Sequence, residues 1–308
     1  MIDADRHILP VAGTREALYM IAQVACAEAP GDDKGLVLLP NPFYQVYAGA
    51  AVMAGARPVY VPGANDPTAQ PDYTRLPEET LRRTRLAYLC SPANPQGSVA
   101  NRETLARTID LARRYGFVLA VDECYSEIWD REEPIGALAA AQGRLDNLAI
   151  FNSLSKRSSV PGLRSGFVAG DERIIKAFAR LRSYGGAAVP LPILAASARL
   201  WADEDHVVEN RDLYRRKLDL AERHLGKHPG FRRPEGGFFL WLDVGDGEAA
   251  ALKLWREARI RVLPGAYLAK EDASGVNPGR NYIRIALVHD LETCEKALAQ
   301  IAKILSPL

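Results

Sequence analysis

The sequence predicts an α/β protein: a mostly parallel β-sheet with helices on both faces, three layers deep, followed by a smaller α+β unit. Over the first two-thirds of the chain, short fully apolar runs alternate with longer segments of helical periodicity. This alternation is typical of buried parallel strands joined by helical crossovers. After Pro190-Leu191-Pro192 the chain changes to a long, charge-rich helical stretch. We therefore expect two domains, residues 1–192 and residues 193–308.

The elements of the first domain follow from these runs. Strands are predicted over residues 36–39, 58–61, 86–90, 117–121, 148–151 and 166–169. Helices are predicted over residues 14–28, 43–55, 77–84, 101–115 and 171–183. Because helices connect the strands, the strands should run parallel and their carboxyl ends should meet at one edge of the sheet.

The second domain begins with a connecting helical stretch over residues 193–225, with a break near Asp203-Glu204-Asp205. The segments that follow predict strands over 238–243, 260–263 and 281–287, and helices over 248–258 and 290–304. This pattern indicates a small α+β domain attached through a long helix.

Composition excludes several classes of protein. The 308 residues carry 39 Lys+Arg and 38 Asp+Glu, a formal net charge of +1, which argues against a nucleic-acid partner. The longest uncharged run, between Lys34 and Arg57, contains Pro40-Asn41-Pro42. That segment would break a membrane-spanning helix, so no membrane partner is expected.

Cysteine usage and the amino terminus predict the compartment. The four cysteines are scattered without a CxxC pair: Cys26, Cys90, Cys124 and Cys294. The first residues are charged and lack the apolar stretch of a signal peptide. We expect a reduced, cytoplasmic protein without a structural metal.

Polar side chains follow three predicted strands, at the edge where open α/β sheets place their active sites. Asn94 follows strand 86–90, Asp122 and Tyr125 follow strand 117–121, and Lys156 follows strand 148–151. An amide, a carboxylate with a phenol, and a lysine beside hydroxyl groups should therefore converge.

These residues resemble the signatures of the fold-type I aminotransferases, which depend on pyridoxal 5′-phosphate. Ser153-Leu154-Ser155-Lys156, with Arg164 further on, is similar to the lysine motif of the family, and Asn94-Pro95 and Asp122-x-x-Tyr125 match its other motifs in order. Three further segments resemble the bacterial succinyldiaminopimelate transaminases: residues 41–47, 123–128 and 155–158. The resemblance runs from about residue 9 to the end of the chain.

The chemistry requires these residue types. A lysine, with a usual pKa of about 10.4, must lose its proton to act as the nucleophile that holds the cofactor and then as a proton carrier, and burial favours that loss. The resemblance assigns this role to Lys156. It assigns to Asp122 the role of the carboxylate that keeps the pyridine nitrogen protonated. The attraction between these two charges is roughly 4 kcal/mol at an effective dielectric near 20. Alone, Lys156 could be a solvated loop lysine and Asp122 a helix cap.

The resemblance also implies the remaining contacts to the cofactor. Asn94 and Tyr125 would donate hydrogen bonds to the phenolic oxygen of the ring, and Tyr44 would stack on the ring's face. Tyr125 is counted as catalytic together with Lys156 and Asp122. The phosphate would be held by Gly13, Thr14, Ser153 and Arg164, the first two at a helix N-terminus. The simpler alternatives are a turn at Asn94-Pro95, a core aromatic at Tyr44 and an ordinary helix cap at Gly13-Thr14.

Substrate contacts are predicted at the other end of the site. Arg284 lies in an otherwise apolar strand pattern, Tyr282 to Leu287, and a charge there must face water or find a partner. The resemblance implies that Arg284, with Asn94, binds the α-carboxylate of the amino acid; an edge-strand arginine is the alternative. For distal groups of the substrate, Arg15 and Arg157 are the candidate cations.

The function implied is transfer of an amino group between glutamate or 2-oxoglutarate and an amino or keto dicarboxylic acid, namely N-succinyl-LL-2,6-diaminopimelate, by a homodimer acting on small molecules. The alternatives are another class I/II aminotransferase, a C–S lyase, a cofactor-sensing module, or a truncated homologue that binds the cofactor with little activity. The family carries a segment ahead of Leu9, with a glycine-containing loop and a tyrosine that reaches the partner's phosphate, for which this sequence offers no match.

Overall fold

The computed structural model describes residues 2–27, 34–63, 66, 68–272 and 274–305. Its main sheet has seven strands in the order β1-β7-β6-β5-β4-β2-β3. In chain order they are β1 Ile8–Val11, β2 Leu36–Asn41, β3 Arg57–Pro62, β4 Thr84–Cys90, β5 Val118–Asp122, β6 Leu148–Ser153 and β7 Gly166–Gly170. Strands β3, β2, β4, β5 and β6 run parallel, and β7 is antiparallel to both β6 and β1. The mostly parallel sheet is confirmed.

Helices cover both faces of this sheet. They are α1 Ala4–His7, α2 Thr14–Cys26, α3 Gln45–Met53, α4 Glu78–Arg83, α5 Arg102–Tyr115, α6 Ala137–Ala140, α7 Leu154–Arg157 and α8 Glu172–Gly185. On one face, α2, α3 and α8 bury Ile21, Tyr47 and Phe178 in a common apolar core. On the other face, α5 buries Leu105 and Ile109 in a second core. Residue 28, the predicted end of the first helix, lies outside the described part of the chain.

Helix ends follow local sequence rules. Asn101 begins α5 by accepting a hydrogen bond of 2.8 Å from the Thr104 amide, and Gly116 ends it in the left-handed conformation at φ 76°. Asp171 begins α8 by accepting from the Arg173 amide at 2.9 Å. Such caps satisfy amide and carbonyl groups that have no partner within the helix, so the predicted bounds fall close to the observed ones.

The carboxyl-terminal part of the chain builds a smaller, antiparallel sheet in the order β8-β10-β9. Its elements are α9 Leu191–Ala202, α10 Asp205–Leu225, β8 Phe239–Asp243, α11 Gly247–Ala258, β9 Leu263–Pro264, β10 Tyr282–Ala286 and α12 Leu291–Leu305. The predicted helix break is confirmed at Asp203-Glu204, between α9 and α10. A third core, with Leu218, Leu254 and Ile283, joins α10, α11 and β10. The domain boundary at residues 192 and 193 stays a prediction.

One strand prediction is wrong and one strand was missed. Of the segment 260–263, only Leu263 pairs in the sheet, together with Pro264. Proline has no amide hydrogen to extend the ladder, which explains the early end of β9. Strand β1 was not predicted because it has only four residues, one of them Pro10, and a half-exposed pattern.

The described residues contain no helix with the length and apolar character needed to cross a membrane. All four cysteines are buried and unpaired. Over the same part of the chain, no group of three or more His, Cys, Asp or Glu side chains has the arrangement of a metal site.

Candidate active site

A cavity of 280 Å³ lies at the edge of the main sheet where the parallel strands end. Asp122 is the last residue of β5, and Asn94 and Lys156 follow β4 and β6. All three side chains line this cavity. The full lining is Thr14, Arg15, Leu18, Tyr44, Asn94, Asp122, Cys124, Tyr125, Ser155, Lys156, Pro161, Arg164, Phe239 and Arg284. Residues far apart in the sequence therefore meet at the edge that the strand pattern predicted.

Asp122 is a buried carboxylate. Among the described residues, no lysine, arginine or histidine forms a salt bridge with it. Its side chain accepts a hydrogen bond of 2.6 Å from the Tyr47 hydroxyl and one of 3.2 Å from the Cys124 amide. Burial raises the pKa of the Asp122 carboxyl, and the two hydrogen bonds oppose that rise. A cation placed beside it would keep Asp122 ionised.

Lys156 lies on the short helix α7, directly after β6. Its Nζ is 4.9 Å from the ring centre of Phe238 and 5.9 Å from that of Tyr125. Neither this amine nor the Tyr125 hydroxyl has a hydrogen-bond partner within the ranges that the structure describes. Burial is the main cause that lowers the pKa of Lys156, and the nearby charges of Arg15, Arg284 and Arg164 lower it further. The amine is thus disposed to lose its proton and to react.

Helix α10 holds the backbone of α7 from outside the cavity. The Asn210 amide nitrogen lies 3.1 Å from the Lys156 carbonyl oxygen and 3.3 Å from that of Arg157, and donates to both. The Ser159 hydroxyl donates to the Asn210 carbonyl oxygen at 2.9 Å. Because α10 continues into the core of the small sheet, one helix links that core to the lysine.

Arg157 does not face the cavity. Its guanidinium is buried, donates to the Leu200 carbonyl oxygen at 2.9 Å, pairs with Glu204 and lies over the Trp201 ring at 5.0 Å. The expectation that Arg157 could meet the distal group of a substrate is wrong. Its charge is used to fix the junction between α9 and α10.

The N-terminus of α2 and the Arg164 guanidinium lie together at one end of the cavity. Gly13 precedes this 13-residue helix with φ 82°, and Thr14 is its first residue. The Arg164 guanidinium donates to the Pro161 carbonyl oxygen at 2.9 Å and to the Ala12 carbonyl oxygen at 3.3 Å. A Cβ at position 13 would lie 2.2 Å from Arg164 Nη2, so only glycine lets the arginine come this close. Free amides and a fixed guanidinium together favour a phosphate.

Ser153 does not line the cavity. Its hydroxyl is fully buried, lies 3.1 Å from the Ser165 carbonyl oxygen, and accepts from the Ser155 amide at 3.1 Å, which caps α7. Ser155 lines the cavity in its place. The predicted phosphate contact of Ser153 is therefore better suited to Ser155, two residues on.

Arg284 and Asn94 meet across the two sheets. Arg284 lies on β10, and its guanidinium donates to the Asn94 side-chain oxygen at 2.9 Å. The guanidinium stands 4.3 Å above the Phe239 ring, and burial lowers the pKa of Arg284. The planar fork keeps further N–H donors for a carboxylate in the cavity. The prediction for Arg284 required β10 to approach the segment after β4, and this hydrogen bond joins the two.

Two residues that contact the site were not assigned from the sequence. Tyr47 binds Asp122, and Cys124 lies 2.9 Å from the Thr14 hydroxyl, within hydrogen-bond range. The spacing of three residues between Tyr44 and Tyr47 at the start of a helix was the available signal, because it places both rings on one face. For Cys124 the sequence offered no signal beyond its closeness to Asp122.

A larger cleft of 620 Å³ lies elsewhere, between residues 99–102 and 233–235. Of the arginines that line it, Arg233 is already paired with Asp130, Asp219 and Glu222 at 2.7 to 2.9 Å. Among the described residues that line this cleft there is no lysine, so its volume carries no comparable chemistry.

The residues around the smaller cavity specify what it can hold. Thr14 and Arg164 could hold a phosphate, Asp122 a protonated ring nitrogen, and Lys156 an aldehyde. These three requirements describe pyridoxal 5′-phosphate, with Tyr44 and Tyr125 as flat neighbours for its ring. Arg284 could bind a second, carboxylate-bearing molecule, and Asn94 could contact either that molecule or the ring.

Comparison with known proteins agrees with this geometry. The model of the family "Aminotransferase class I and II" matches residues 1–301. LL-diaminopimelate aminotransferase of Desulforudis audaxviator (strain MP104C) is 33% identical over 293 residues, 93% of this chain and 71% of that protein. An aminotransferase from Neisseria meningitidis Z2491 is 43% identical with a TM-score of 0.91, covering 99% of this chain and 78% of that one. A probable N-succinyldiaminopimelate aminotransferase from Thermus thermophilus is 25% identical with a TM-score of 0.87, covering 98% and 79%.

Proposed function

This chain belongs to the class I and II aminotransferases, which depend on pyridoxal phosphate, and on that premise we propose its substrates. It transfers the amino group between glutamate or 2-oxoglutarate and N-succinyl-LL-2,6-diaminopimelate or its keto acid, a step of diaminopimelate and lysine biosynthesis. The relatives named for diaminopimelate and N-succinyldiaminopimelate support this choice of substrate class.

The observation that carries the proposal is the charge of the cavity wall. Among the residues that the structure describes, four cationic side chains line it, Arg15, Lys156, Arg164 and Arg284, against one acid, Asp122. A phosphate satisfies one arginine and an α-carboxylate a second. A substrate with a further carboxylate fits the remaining charge, whereas a monocarboxylic amino acid leaves it without a partner.

Lys156 performs the proton transfers in this proposal. When bound, pyridoxal phosphate supplies the carbonyl carbon that receives the amino group and a ring that withdraws electrons from the substrate Cα. The Lys156 amine would hold the cofactor and would take the proton from the substrate Cα. Its lowered pKa favours the neutral amine, which is the form that can accept that proton.

Asp122 and Arg284 fix the two molecules in place. The Asp122 carboxylate, held by Tyr47 and the Cys124 amide, would bind the ring nitrogen and keep a proton on it. Arg284, held by Asn94 and the Phe239 face, binds the α-carboxylate. With both ends held, the substrate would be positioned for proton transfer by Lys156, and positioning of this kind contributes much of the catalytic rate.

A second candidate substrate is LL-diaminopimelate itself, because a relative of 33% identity is named for it. Its distal end carries an ammonium group as well as a carboxylate, and that ammonium would lie among the arginines of the cavity. Succinylation removes this positive charge and adds a carboxylate. The charge of the wall therefore favours the succinylated compound.

The experiment compares amino donors with 2-oxoglutarate as acceptor, using the purified chain loaded with pyridoxal phosphate. Glutamate formation is measured with N-succinyl-LL-2,6-diaminopimelate, LL-diaminopimelate, alanine and cystathionine. We expect the highest kcat/KM with the succinylated donor. A higher kcat/KM with LL-diaminopimelate or alanine, or release of pyruvate from cystathionine, contradicts the proposal.

The proposal includes a homodimer in the cytoplasm. Four buried, unpaired cysteines are typical of a reducing compartment, and the family resemblance supports the dimer. Sedimentation equilibrium tests the assembly: a mass of twice 33.8 kDa is expected, and a monomer over the whole concentration range contradicts it.

A further inference from the structure

We propose that the Cys124 thiol positions the Thr14 hydroxyl for the phosphate of the cofactor, so that Cys124 joins the phosphate end of the cavity to the Asp122 end. The inference rests on the dependence of the family on pyridoxal phosphate and on the assignment of Thr14 to its phosphate. It is independent of the proposed substrates. Because Cys124 acts through Thr14, it is a positioning residue.

Cys124 lies between the two ends of the cavity. Its side chain is buried and lines the cavity, two residues after Asp122. Its Sγ is 2.9 Å from the hydroxyl oxygen of Thr14, the first residue of α2. Its backbone amide donates to the Asp122 carboxylate at 3.2 Å. One residue therefore contacts both the group assigned to the phosphate and the group assigned to the ring nitrogen, although Thr14 and Cys124 are 110 residues apart in the sequence.

The protonation state of Cys124 sets the direction of the bond to Thr14. Burial, together with the negative charge of Asp122, raises the pKa of the thiol well above its usual range, so the sulfur keeps its proton. A phosphate dianion accepts hydrogen bonds and donates none, so the Thr14 hydroxyl would donate to it. With that proton used, the hydroxyl oxygen accepts from the Cys124 S–H group. The chain runs from thiol to hydroxyl to phosphate, and the members of such a chain strengthen one another.

The contact also selects a conformation of Thr14. A threonine on a helix divides between two side-chain rotamers, and the bond to Cys124 favours the one that directs the hydroxyl to the cavity wall. The neighbouring thiol of Cys90, which pairs with Asp122 in the sheet, donates instead to the Pro92 carbonyl oxygen at 3.2 Å. The thiol that lines the cavity is therefore the one bonded to a side chain of the phosphate end.

The test compares the affinities of pyridoxal phosphate and pyridoxal, which share the ring and the aldehyde and differ in the phosphate. Each is titrated by absorbance into the purified full chain after bound cofactor has been removed. Cys124→Ala should weaken pyridoxal phosphate about threefold to tenfold, the loss expected for one hydrogen bond, and leave pyridoxal within about twofold. Cys124→Ser keeps a donor, so its affinity for pyridoxal phosphate should lie between those of Cys124→Ala and the wild type.

Thr14→Val tests whether the thiol acts through the hydroxyl. This variant keeps the branched shape and removes the hydroxyl, and it should weaken pyridoxal phosphate about tenfold to hundredfold because a charge-assisted hydrogen bond is lost. Adding Cys124→Ala to Thr14→Val should change that affinity by less than about twofold, since the thiol then has no hydroxyl to orient.

Cys26→Ala is the matched control, because Cys26 is a buried, unpaired thiol on the same helix as Thr14 and lies outside the cavity lining; it should leave both affinities unchanged. Equal weakening of the two ligands in Cys124→Ala would mean that the thiol acts on the ring or on Asp122, and it overturns the inference. No weakening, or additive losses in the double variant, overturns it as well.

Cys124→Val, which fills the space of the sulfur and also lacks a donor, gives the same comparison if Cys124→Ala does not fold. Because no substrate is present in these titrations, their result is separate from that of the amino-donor comparison. Failure to use the succinylated donor, with the phosphate-dependent effect of Cys124→Ala present, rejects the proposed substrate alone.

Discussion

The phenol of Tyr47 donates a hydrogen bond of 2.6 Å to the carboxylate of Asp122, and both groups are buried. Tyr47 is itself held by stacking on Tyr88, with ring centres 4.4 Å apart at 12°. This contact fixes the direction of the Asp122 oxygens and opposes the effect of burial on the pKa of Asp122. The carboxylate is therefore prepared in advance for a cationic ring.

Replacing Tyr47 by Phe removes this donor and keeps the aromatic packing. Loss of a hydrogen bond to a charged group costs about 1.5–3 kcal/mol. We expect pyridoxal phosphate affinity to fall about tenfold to hundredfold, and kcat to fall as well because the ring nitrogen is held less firmly in its protonated state. Cofactor titration and steady-state kinetics measure the two effects.

Tyr73→Phe is the control for this experiment. Tyr73 is also fully buried and donates to a backbone carbonyl oxygen, that of Tyr88, outside the cavity lining. Its loss should lower the free energy of unfolding without changing cofactor affinity. Equal cofactor affinities in Tyr47→Phe and the wild type would contradict the role given to the Tyr47 contact.

The bonds from Asn210 to α7 predict a positioning effect on Lys156. Asn210→Ala removes the donor to the Lys156 and Arg157 carbonyl oxygens. Because these bonds hold the backbone and do not touch substrate, kcat should fall about tenfold while KM stays within about twofold. The pH dependence of the bound cofactor's visible absorption should also shift, since the lysine amine is less firmly held in its buried position.

Ser159→Ala distinguishes a role of Asn210 in positioning Lys156 from a general contribution to the stability of the fold. It leaves the Asn210 amide in place and removes only the hydroxyl that orients it, so its kcat should lie between those of Asn210→Ala and the wild type. An Asn210→Ala enzyme with an unchanged pH profile and kcat, only less heat-stable, would show a purely structural role.

Glu123 predicts a pH dependence of stability. Burial raises the pKa of its carboxyl from 4.5 to about 7, and its side chain accepts a hydrogen bond of 2.6 Å from the Ala137 amide. Because the folded state prefers the protonated acid, stability is lost as the pH rises from 4.5 through about 7. The loss is at most about 3 kcal/mol, less where water reaches the side chain.

Glu123→Gln keeps the acceptor for Ala137 and removes the charge. The free energy of unfolding of Glu123→Gln, minus that of the wild type, should be larger at about pH 8 than at about pH 5. Urea denaturation at the two pH values measures this difference. A difference that is the same at both pH values would mean that Glu123 does not ionise within this range.

The sequence was informative where local rules decide the structure. Asn94, Asp122 and Lys156 could be placed together because each follows an apolar strand, and parallel strands end at one edge. Helix α5 could be bounded because Asn101 and Gly116 are strong end signals. The ends of α5 are determined by neighbouring residues, and the meeting of the three site residues follows from a general rule of parallel sheets.

It was uninformative where the cause is a contact between distant segments. The sequence does not distinguish Tyr47 from other aromatic residues of the core, and only the fold brings its hydroxyl to Asp122. Arg157 has the sequence pattern of a site residue, yet α9 and the turn into α10 supply its partners from more than 40 residues away. Ser153 and Ser155 are both motif serines, and only the turn into α7 decides which one faces the cavity.

Reductive trapping tests the central arrangement most directly. The purified protein is incubated with pyridoxal phosphate, treated with borohydride, digested and mapped by mass spectrometry. We expect one labelled peptide, with the cofactor mass on Lys156, and no label in Lys156→Ala. A label on another lysine, or a fully unlabelled wild-type chain, would contradict the assignment of Lys156 as the residue that holds the cofactor beside Asp122.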